Sequence, residues 1–388
     1  MQVDILKIDT HAEPWDTYRW LREEAPVYWD PYNELWVVSR YDDIVRISRD
    51  PGTWTSAEGN RPKLGKDPSF IHMDGKEHLQ RRGLVQKHFS KGACRHMEEG
   101  LRQMSRGLLT AAVNKPSCEF VEDVAAPIPL NVIAKMLGDP PEFLERLHHL
   151  LEAFTYGGNG PQYVTEDVEE AYMEFAMHHY GMVDERMECP KEDLVSLWMN
   201  AEVNGQKLHE DVVLFEHTMI LVGGSESTRN AMSGGLHQLI QNPDQWAFLR
   251  DNPEAIPNAV EEMIRWVSPF VSMSRTVTRD VEFQDVKMRE GEEVVMLYPA
   301  ANRDPRVFDD PETFDVRRSF GAKKPIAFGH GRHLCLGANL AREEMRILFE
   351  ELFKLVHDVP QLAGEPTWRV SSFIRGPKTM PVAFTPRA

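Results

Sequence analysis

Cysteine is scarce in this chain: four of 388 residues, at Cys94, Cys118, Cys189 and Cys335. Four thiols without a Cys-x-x-Cys pair exclude a disulfide framework and iron–sulfur ligation. No apolar run reaches 18 residues, which excludes a membrane-spanning helix. The first nine residues already carry Asp4, Lys7 and Asp9, so the start reads as neither signal peptide nor anchor. Positive charge is in deficit. Lys plus Arg is 44 against 61 Asp plus Glu, a net charge of −17 that repels phosphate backbones and argues against a nucleic-acid partner. Repeats, low-complexity blocks, Ser/Gly linkers, dinucleotide fingerprints and P-loops are all missing. With 41% hydrophobic residues and 25 glycines, whole-chain disorder is excluded as well. The expectation is one domain over residues 1–388 in a reducing, cytoplasmic setting, with no membrane partner.

What is present is mostly helix-period sequence between two short β-rich runs. Residues 35–39, after the Pro31/Asn33 turn, and residues 293–297, after Gly291, read as strands. Residues 78–89, 94–113, 130–137 and 168–187 carry apolar side chains at three- and four-residue spacing. The longest such pattern covers about 208–240. It opens on Glu210 and Asp211, which suit a helix N-terminus, and stops before Asn242-Pro243. At ~1.5 Å per residue it spans about 50 Å and must cross the whole domain.

Two segments break the local rules. Residues 223–228, Gly-Gly-Ser-Glu-Ser-Thr, place two glycines, a carboxylate and three hydroxyls inside that long helix. Glycine costs about 1 kcal/mol against alanine in a helix, and unpaired buried polar groups cost more. Either the helix surfaces here, or it borders a groove where glycine admits a flat ligand and the polar residues handle protons. The second segment, residues 328–337, reads Phe-Gly-His-Gly-Arg-His-Leu-Cys-Leu-Gly and runs into a strongly helical stretch. A cysteine at a helix mouth has its thiolate favoured by the dipole and backbone N–H groups. A buried structural cysteine and a zinc site with His330, His333 and Cys335 are the alternatives. Zinc lacks a fourth ligand nearby, and a single thiolate in a glycine cradle suits a metal macrocycle better.

The 328–337 segment resembles the haem loop of the cytochrome P450 family, Phe-Gly-x-Gly-x-His-x-Cys-x-Gly, at all six fixed positions. Three further motifs follow the family's order. Residues 262–265 resemble its Glu-x-x-Arg, residues 223–228 its distal oxygen-binding helix, and residues 74–78 with Arg82 its haem-flanking helix. The likeness extends from about Trp15 to Pro386. It implies a mainly α fold with small β-sheets, the single-domain P450 prism, with no fused reductase or ferredoxin. It also implies heme b (iron protoporphyrin IX) held by Cys335, whose thiolate favours O–O cleavage. By the same likeness Gly329, Gly331 and Gly337 let the backbone approach sulfur and porphyrin, and Phe328 packs beside the sulfur. His78, Arg82, Arg275 and His333 pair with the haem propionates. Glu262 and Arg265 form a structural ion pair, completed by Arg317 or Arg318 because Thr313 replaces the family's usual arginine. Glu226 relays protons while Ser227, in the place of the family's threonine, or its neighbour Thr228 contacts oxygen.

The pocket is expected near residues 218–223, 269–273 and 371–374, with Gly223, Phe270, Val271, Met273 and Phe373 facing an apolar substrate. The resemblance implies a monooxygenase that uses O2 and NAD(P)H electrons delivered by a separate reductase and ferredoxin. The text of the distal helix and of residues 380–386 looks like the actinobacterial group that oxidises sterols and related lipids; terpenoids and fatty chains are further options. Peroxide-driven oxidation is an alternative, against which the Glu226–Ser227 pair argues, and a non-catalytic haem sensor is another. An acidic ferredoxin is expected to dock on cations around the thiolate: Arg332, Arg342, His330 and His333, with Arg81, Lys87, His88 and Lys91 from the neighbouring helix.

Overall fold

In the computed structural model, which describes residues 1–387, the polar segment at 223–228 does not interrupt its helix. The helix is continuous over Glu210–Gln241, 32 residues. His209 caps it, with Nδ1 accepting the Asp211 N–H at 3.3 Å. Several of its polar side chains bond back to the helix, while Ser225 Oγ and Asn230 Oδ1 are buried without a partner among the described residues. Ser227 Oγ donates to the Gly223 carbonyl at 3.0 Å, Asn230 Nδ2 to the Glu226 carbonyl at 2.8 Å and Ser233 Oγ to the Arg229 carbonyl at 2.9 Å. The two glycines have different purposes. A Cβ on Gly224 would lie 2.6 Å from Ile133, so this glycine lets the helix Pro127–Leu137 pack close. A Cβ on Gly223 would meet nothing within 4 Å, because that position borders a cavity.

The helix-period segments form helices Gly75–Gln86, Lys91–Val113, Pro127–Leu137 and Glu166–Glu188, the first continued by a 3-10 turn at Lys87–Phe89. Ser90 separates the first two, its hydroxyl accepting the Ala93 N–H at 3.2 Å. These helices pack with Ile256–Val267, Ala338–Leu355 and the long helix around one large apolar core; two smaller clusters lie against the sheet. Among the described residues no helix is long and apolar enough to cross a membrane.

The two expected strands, Leu35–Val38 and Glu293–Leu297, are parallel neighbours, with Val294 opposite Trp36. Val27–Asp30 extends the sheet beyond the first of them. Ser272–Val277 pairs antiparallel with the second, Arg275 opposite Val294, and Trp54–Thr55 forms the far edge. The remaining sheets have two or three strands. The architecture is mostly helical with small sheets, as the resemblance implied.

Candidate active site

The segment around Cys335 is shaped by its glycines. Gly329 and Gly331 adopt φ of +71° and +72°, which favour glycine. Any side chain on Gly331 would run into the Ser48 carbonyl, so the loop can seat against the end of the Tyr41–Arg49 helix only with glycine there. The Cys335 N–H donates to the Phe328 carbonyl at 2.8 Å, closing the loop on itself just before the helix Ala338–Leu355. Burial pushes the Cys335 thiol above its ordinary range. The N–H groups of Gly337 and Ala338 and the charges of Arg82 and Arg342 pull the other way. A metal ion bound to the sulfur removes that proton outright.

Cys335 forms part of the wall of a largely apolar cavity that runs from the cysteine loop to the long helix. The polar groups near Cys335 are mostly cationic, with Asp74 and Glu344 as the acids among them. Arg275 is buried and among the described residues donates only to the Ser274 carbonyl, at 2.6 Å, and Arg82 donates to the Leu334 carbonyl at 2.6 Å. His333 Nε2 lies 3.0 Å from Asp74 Oδ1 and 3.2 Å from Ser56 Oγ. His78 packs against the His333 ring at 4.3 Å between centroids, and both its ring nitrogens are buried with no partner among the described residues. Burial, with the charges of His333 and Arg82, lowers His78 to about 4. Arg82 and Arg275 have no carboxylate partner among the described residues, and guanidinium groups of that kind complement a ligand that brings carboxylates of its own. A lone thiolate, a glycine cradle, an apolar chamber and two arginines without a carboxylate partner together fit heme b. Zinc has no support, since no group of three His, Cys, Asp or Glu among the described residues is placed to hold a metal ion.

Above the cysteine loop the long helix turns Gly223, Gly224, Ser227, Thr228 and Ala231 to the cavity. Thr228 Oγ1 lies 3.5 Å from the Gly224 carbonyl, a weaker back-bond than that of Ser227. Glu226 is expected beside Ser227 but faces away from the cavity. About 100° of helix rotation per residue carries it off the 223/227/231 face. There it pairs with Arg229 at 2.7 Å and lies 3.8 Å from Arg369; both guanidiniums also bind Glu152.

Phe270, Met273 and Gly223 line the cavity as expected; Val271 and Phe373 do not. Val271 precedes the regular strand and joins the core of Val37, Val295 and Leu297. Phe373 packs behind the wall against Phe270, tilted at 54° with centroids 5.4 Å apart, and lies under the guanidinium of Arg61 at 4.3 Å. The expected ring of exposed cations also shrinks. Arg81 is buried against Glu216, Arg342 is tied to Glu261, and His333 is engaged by Asp74. His330 accepts from Arg49 at 2.9 Å. Lys87, Lys91 and Arg332 remain exposed, with no acid in ion-pairing range among the described residues.

Among the wall residues that escaped the sequence reading are Asn60, Ile133, Tyr298 and Glu344. Glu344 had a usable signal. Gly337, Leu340, Ala341, Glu344 and Met345 follow the 3.6 period of one helix face, and Glu344 is the polar member. It is buried with Oε1 unpartnered, and burial raises its carboxyl well above the ordinary carboxylate range.

On the other side of the helix Ile256–Val267, Glu262 accepts two bonds from Arg265, both at 2.7 Å. Arg318 Nε adds a third at 3.0 Å and the Asp315 N–H a fourth at 2.9 Å. Arg318 therefore completes the network; Arg317 is exposed and lies over Phe248.

Comparison with known proteins agrees with this geometry. Residues 158–357 match the family model for cytochrome P450. The chain is 36% identical over 376 residues to a steroid C26-monooxygenase of Mycobacterium tuberculosis, covering 95% of this chain and 93% of that protein. It is 32% identical over 398 residues to linalool 8-monooxygenase of Pseudomonas putida, covering 97% of each. A Mycobacterium marinum cytochrome P450 in complex with pseudoionone superposes with a TM-score of 0.89 at 30% identity, over 97% of this chain and 96% of that one. Fold, length and sequence thus agree from end to end with heme b monooxygenases of apolar molecules, and the chain belongs to the cytochrome P450 family.

Proposed function

We propose that this chain is a single haem-thiolate domain that hydroxylates an apolar small molecule of sterol, terpenoid or fatty-chain type. Its electrons come from NAD(P)H through a separate ferredoxin. The observation that carries the reading is Cys335, a lone thiol in a glycine cradle, placed in the wall of an apolar cavity. Relatives named for steroid, linalool and methyl-branched lipid oxidation support the substrate range.

Cys335 is the iron ligand in this reading, with Gly329 and Gly337 giving the backbone room beside it and Phe328 packed against the loop. Arg82, Arg275 and His333 hold the carboxylates of the macrocycle, and His78 backs His333. Bound there, heme b supplies dioxygen activation and insertion of one oxygen atom into a C–H bond, the other leaving as water. Ser227 presents a hydroxyl to the cavity. One hydroxyl has one donor and two acceptor sites, so it can keep its bond to Gly223 while accepting, or turn and donate. It lacks the methyl that stiffens a threonine rotamer. Glu226 is held by Arg229 at 2.7 Å, so it hands protons toward Ser227 either through water or after releasing that arginine. Phe270 and Met273 keep the chamber apolar around the reacting carbon.

The ferredoxin docks by charge on Lys87, Lys91 and Arg332. The test is turnover with a ferredoxin, its reductase and NAD(P)H on a panel of sterols, terpenoids and fatty chains under isotopically labelled dioxygen. One labelled oxygen per product is expected. Product formed only with added peroxide, or carrying no label, contradicts the reading.

A further inference from the structure

A second cavity opens on the surface between the helices Lys91–Val113 and Pro127–Leu137 and the short helix Leu194–Asn200. Among the described residues it shares no lining residue with the cavity of Cys335. Neighbours in sequence divide the two: Phe89 and Ile133 face the first, His88 and Val132 the second. Its apolar surface is built from Met97, Leu101, Met104, Met136 and Leu197, all but Leu101 only half-buried. Met97, Leu101 and Met104 follow one face of their helix and extend ~10 Å along it at ~1.5 Å per residue. Methionine side chains are unbranched and reshape around a ligand. Gly100 lines the same groove, and a Cβ there would meet nothing within 4 Å among the described residues.

The charges around this groove do not cancel. Lys87 and Lys135 are exposed, with no acid in ion-pairing range among the described residues. Lys191 is held by Glu185 at 2.5 Å, and His96 is exposed. Of the two lining acids, Asp193 is engaged by Arg186 at 3.0 Å and by the Ser196 N–H at 2.7 Å, while Glu192 is exposed. The wall amides have partners: Asn131 Nδ2 donates to the Pro127 carbonyl at 2.6 Å and Asn200 Nδ2 to the Ser196 carbonyl at 2.9 Å. His88 Nε2, in contrast, is buried with no partner among the described residues. In the tautomer with its proton on Nε2 the ring donates to an oxygen anion. Lys87 and His88 belong to the turn Lys87–Phe89, which leads into the helix carrying Met97, Leu101 and Met104. Donors therefore stand at the start of an apolar track, on a chain whose net charge is −17.

We propose that this groove is a binding site for a single-chain anionic amphiphile, a fatty-chain carboxylate. The carboxylate pairs with Lys87 and accepts from His88 Nε2–H. The methylene chain lies along Met97, Leu101 and Met104, against Met136 and Leu197, and Lys135 contributes a second positive charge to the lining. Such a ligand complements both features left open there, apolar surface and uncompensated positive charge. The site is separate from that of Cys335 and stands independently of the haem-thiolate reading.

The test is calorimetric titration of dodecanoate into haem-loaded protein whose Cys335 cavity is saturated with 4-phenylimidazole, so that only binding elsewhere is read. One dodecanoate per chain is expected, bound about tenfold more tightly than dodecyltrimethylammonium. Replacing Lys87 and Lys135 together by glutamine should weaken dodecanoate about five- to tenfold, the effect of two exposed charge contacts, and leave dodecan-1-ol within about twofold. Gly100→Leu adds a side chain in open space, on a helix that favours leucine over glycine. It should fill the groove and weaken dodecanoate and dodecan-1-ol alike, with the CO spectrum unaltered. Absence of dodecanoate binding to the azole-saturated wild type overturns the proposal, as does full affinity in Gly100→Leu or equal affinity for the two oppositely charged amphiphiles. A wild-type dimer in sedimentation that Gly100→Leu dissolves, without dodecanoate uptake, assigns the groove to a second copy of the chain and overturns it equally. The azole and CO spectra report on the haem independently, so failure here and failure of the haem-thiolate reading are told apart.

Discussion

Glu262→Gln removes one charge from a site where two guanidiniums depend on it. The carboxylate accepts four hydrogen bonds, two from Arg265, one from Arg318 and one from the Asp315 N–H. Glu262 and Arg265 are fully buried and Arg318 nearly so. Breaking a buried pair by removing one partner costs about 3–5 kcal/mol because the other charge is stranded. Folding entropy of ~2.1 cal/mol/K per residue over 388 residues converts this to a melting point lower by roughly 4–6 °C. The damage should not stay local. Arg265 also donates to the carbonyls of Asn302, Pro311 and Thr313, at 2.9, 2.9 and 3.1 Å. Asn302 Oδ1 in turn accepts the Ile326 N–H at 2.8 Å, two residues before the cysteine loop begins. The variant should therefore shed haem as well as stability. Calorimetry paired with haem-to-protein absorbance after gel filtration reads both. Arg317→Ala is the control, expected within about 0.5 kcal/mol of wild type. A Glu262→Gln protein that melts within 1 °C of wild type and keeps its haem would refute the claim that this network anchors the loop.

Ser227→Ala should retain haem and ligand binding while product per NAD(P)H falls and peroxide rises, with product rate down by up to ~100-fold, the low end of what positioned proton transfer contributes. Unchanged coupling there, with coupling lost in Thr228→Ala, moves the role one residue along. Reduction by an acidic ferredoxin should slow with salt, since exposed charges are screened beyond about 10 Å at 0.1 M. Replacing Lys87 and Arg332 by neutral residues should flatten that dependence without altering substrate affinity. A salt series by stopped flow decides this, and an unaltered slope removes those two cations from the docking face. Burial, helped by the charge of His217, lowers His179 from 6.5 to about 3. The unfolded chain therefore binds the extra proton between those values, and stability should fall as pH drops from 6.5 toward 3, by up to ~1.4 kcal/mol per pH unit. Denaturant melts at pH 6.5, 5.5 and 4.5 should show a shallower loss in His179→Gln; equal slopes would show that His179 does not drive the loss.

Local pattern carried the fold far. The runs at 35–39 and 293–297 are readable because β-branched residues follow turn signals, though only the structure shows them as parallel neighbours. The cysteine loop is legible because three glycines and a cysteine within ten residues serve no helix or strand. Other features depend on partners distant in the chain. Glu226 reads as a cavity acid, yet it pairs with Arg229 away from the cavity and lies 3.8 Å from Arg369, 143 residues later. Arg81 and Arg342 read as free cations because Glu216 and Glu261 are invisible as their partners from sequence alone. Val271 and Phe373 turn away from the cavity because their backbones bond to each other, the Val271 N–H donating to the Phe373 carbonyl at 2.8 Å.

Ligation by Cys335 is the claim on which the rest depends, and the absorption spectrum of the reduced, CO-bound protein tests it directly. The wild type should show the far red-shifted Soret band of a thiolate-ligated haem, and Cys335→His should bind haem but lose that band. A red-shifted band that survives in Cys335→His would contradict the account, as would its absence from a haem-loaded wild type.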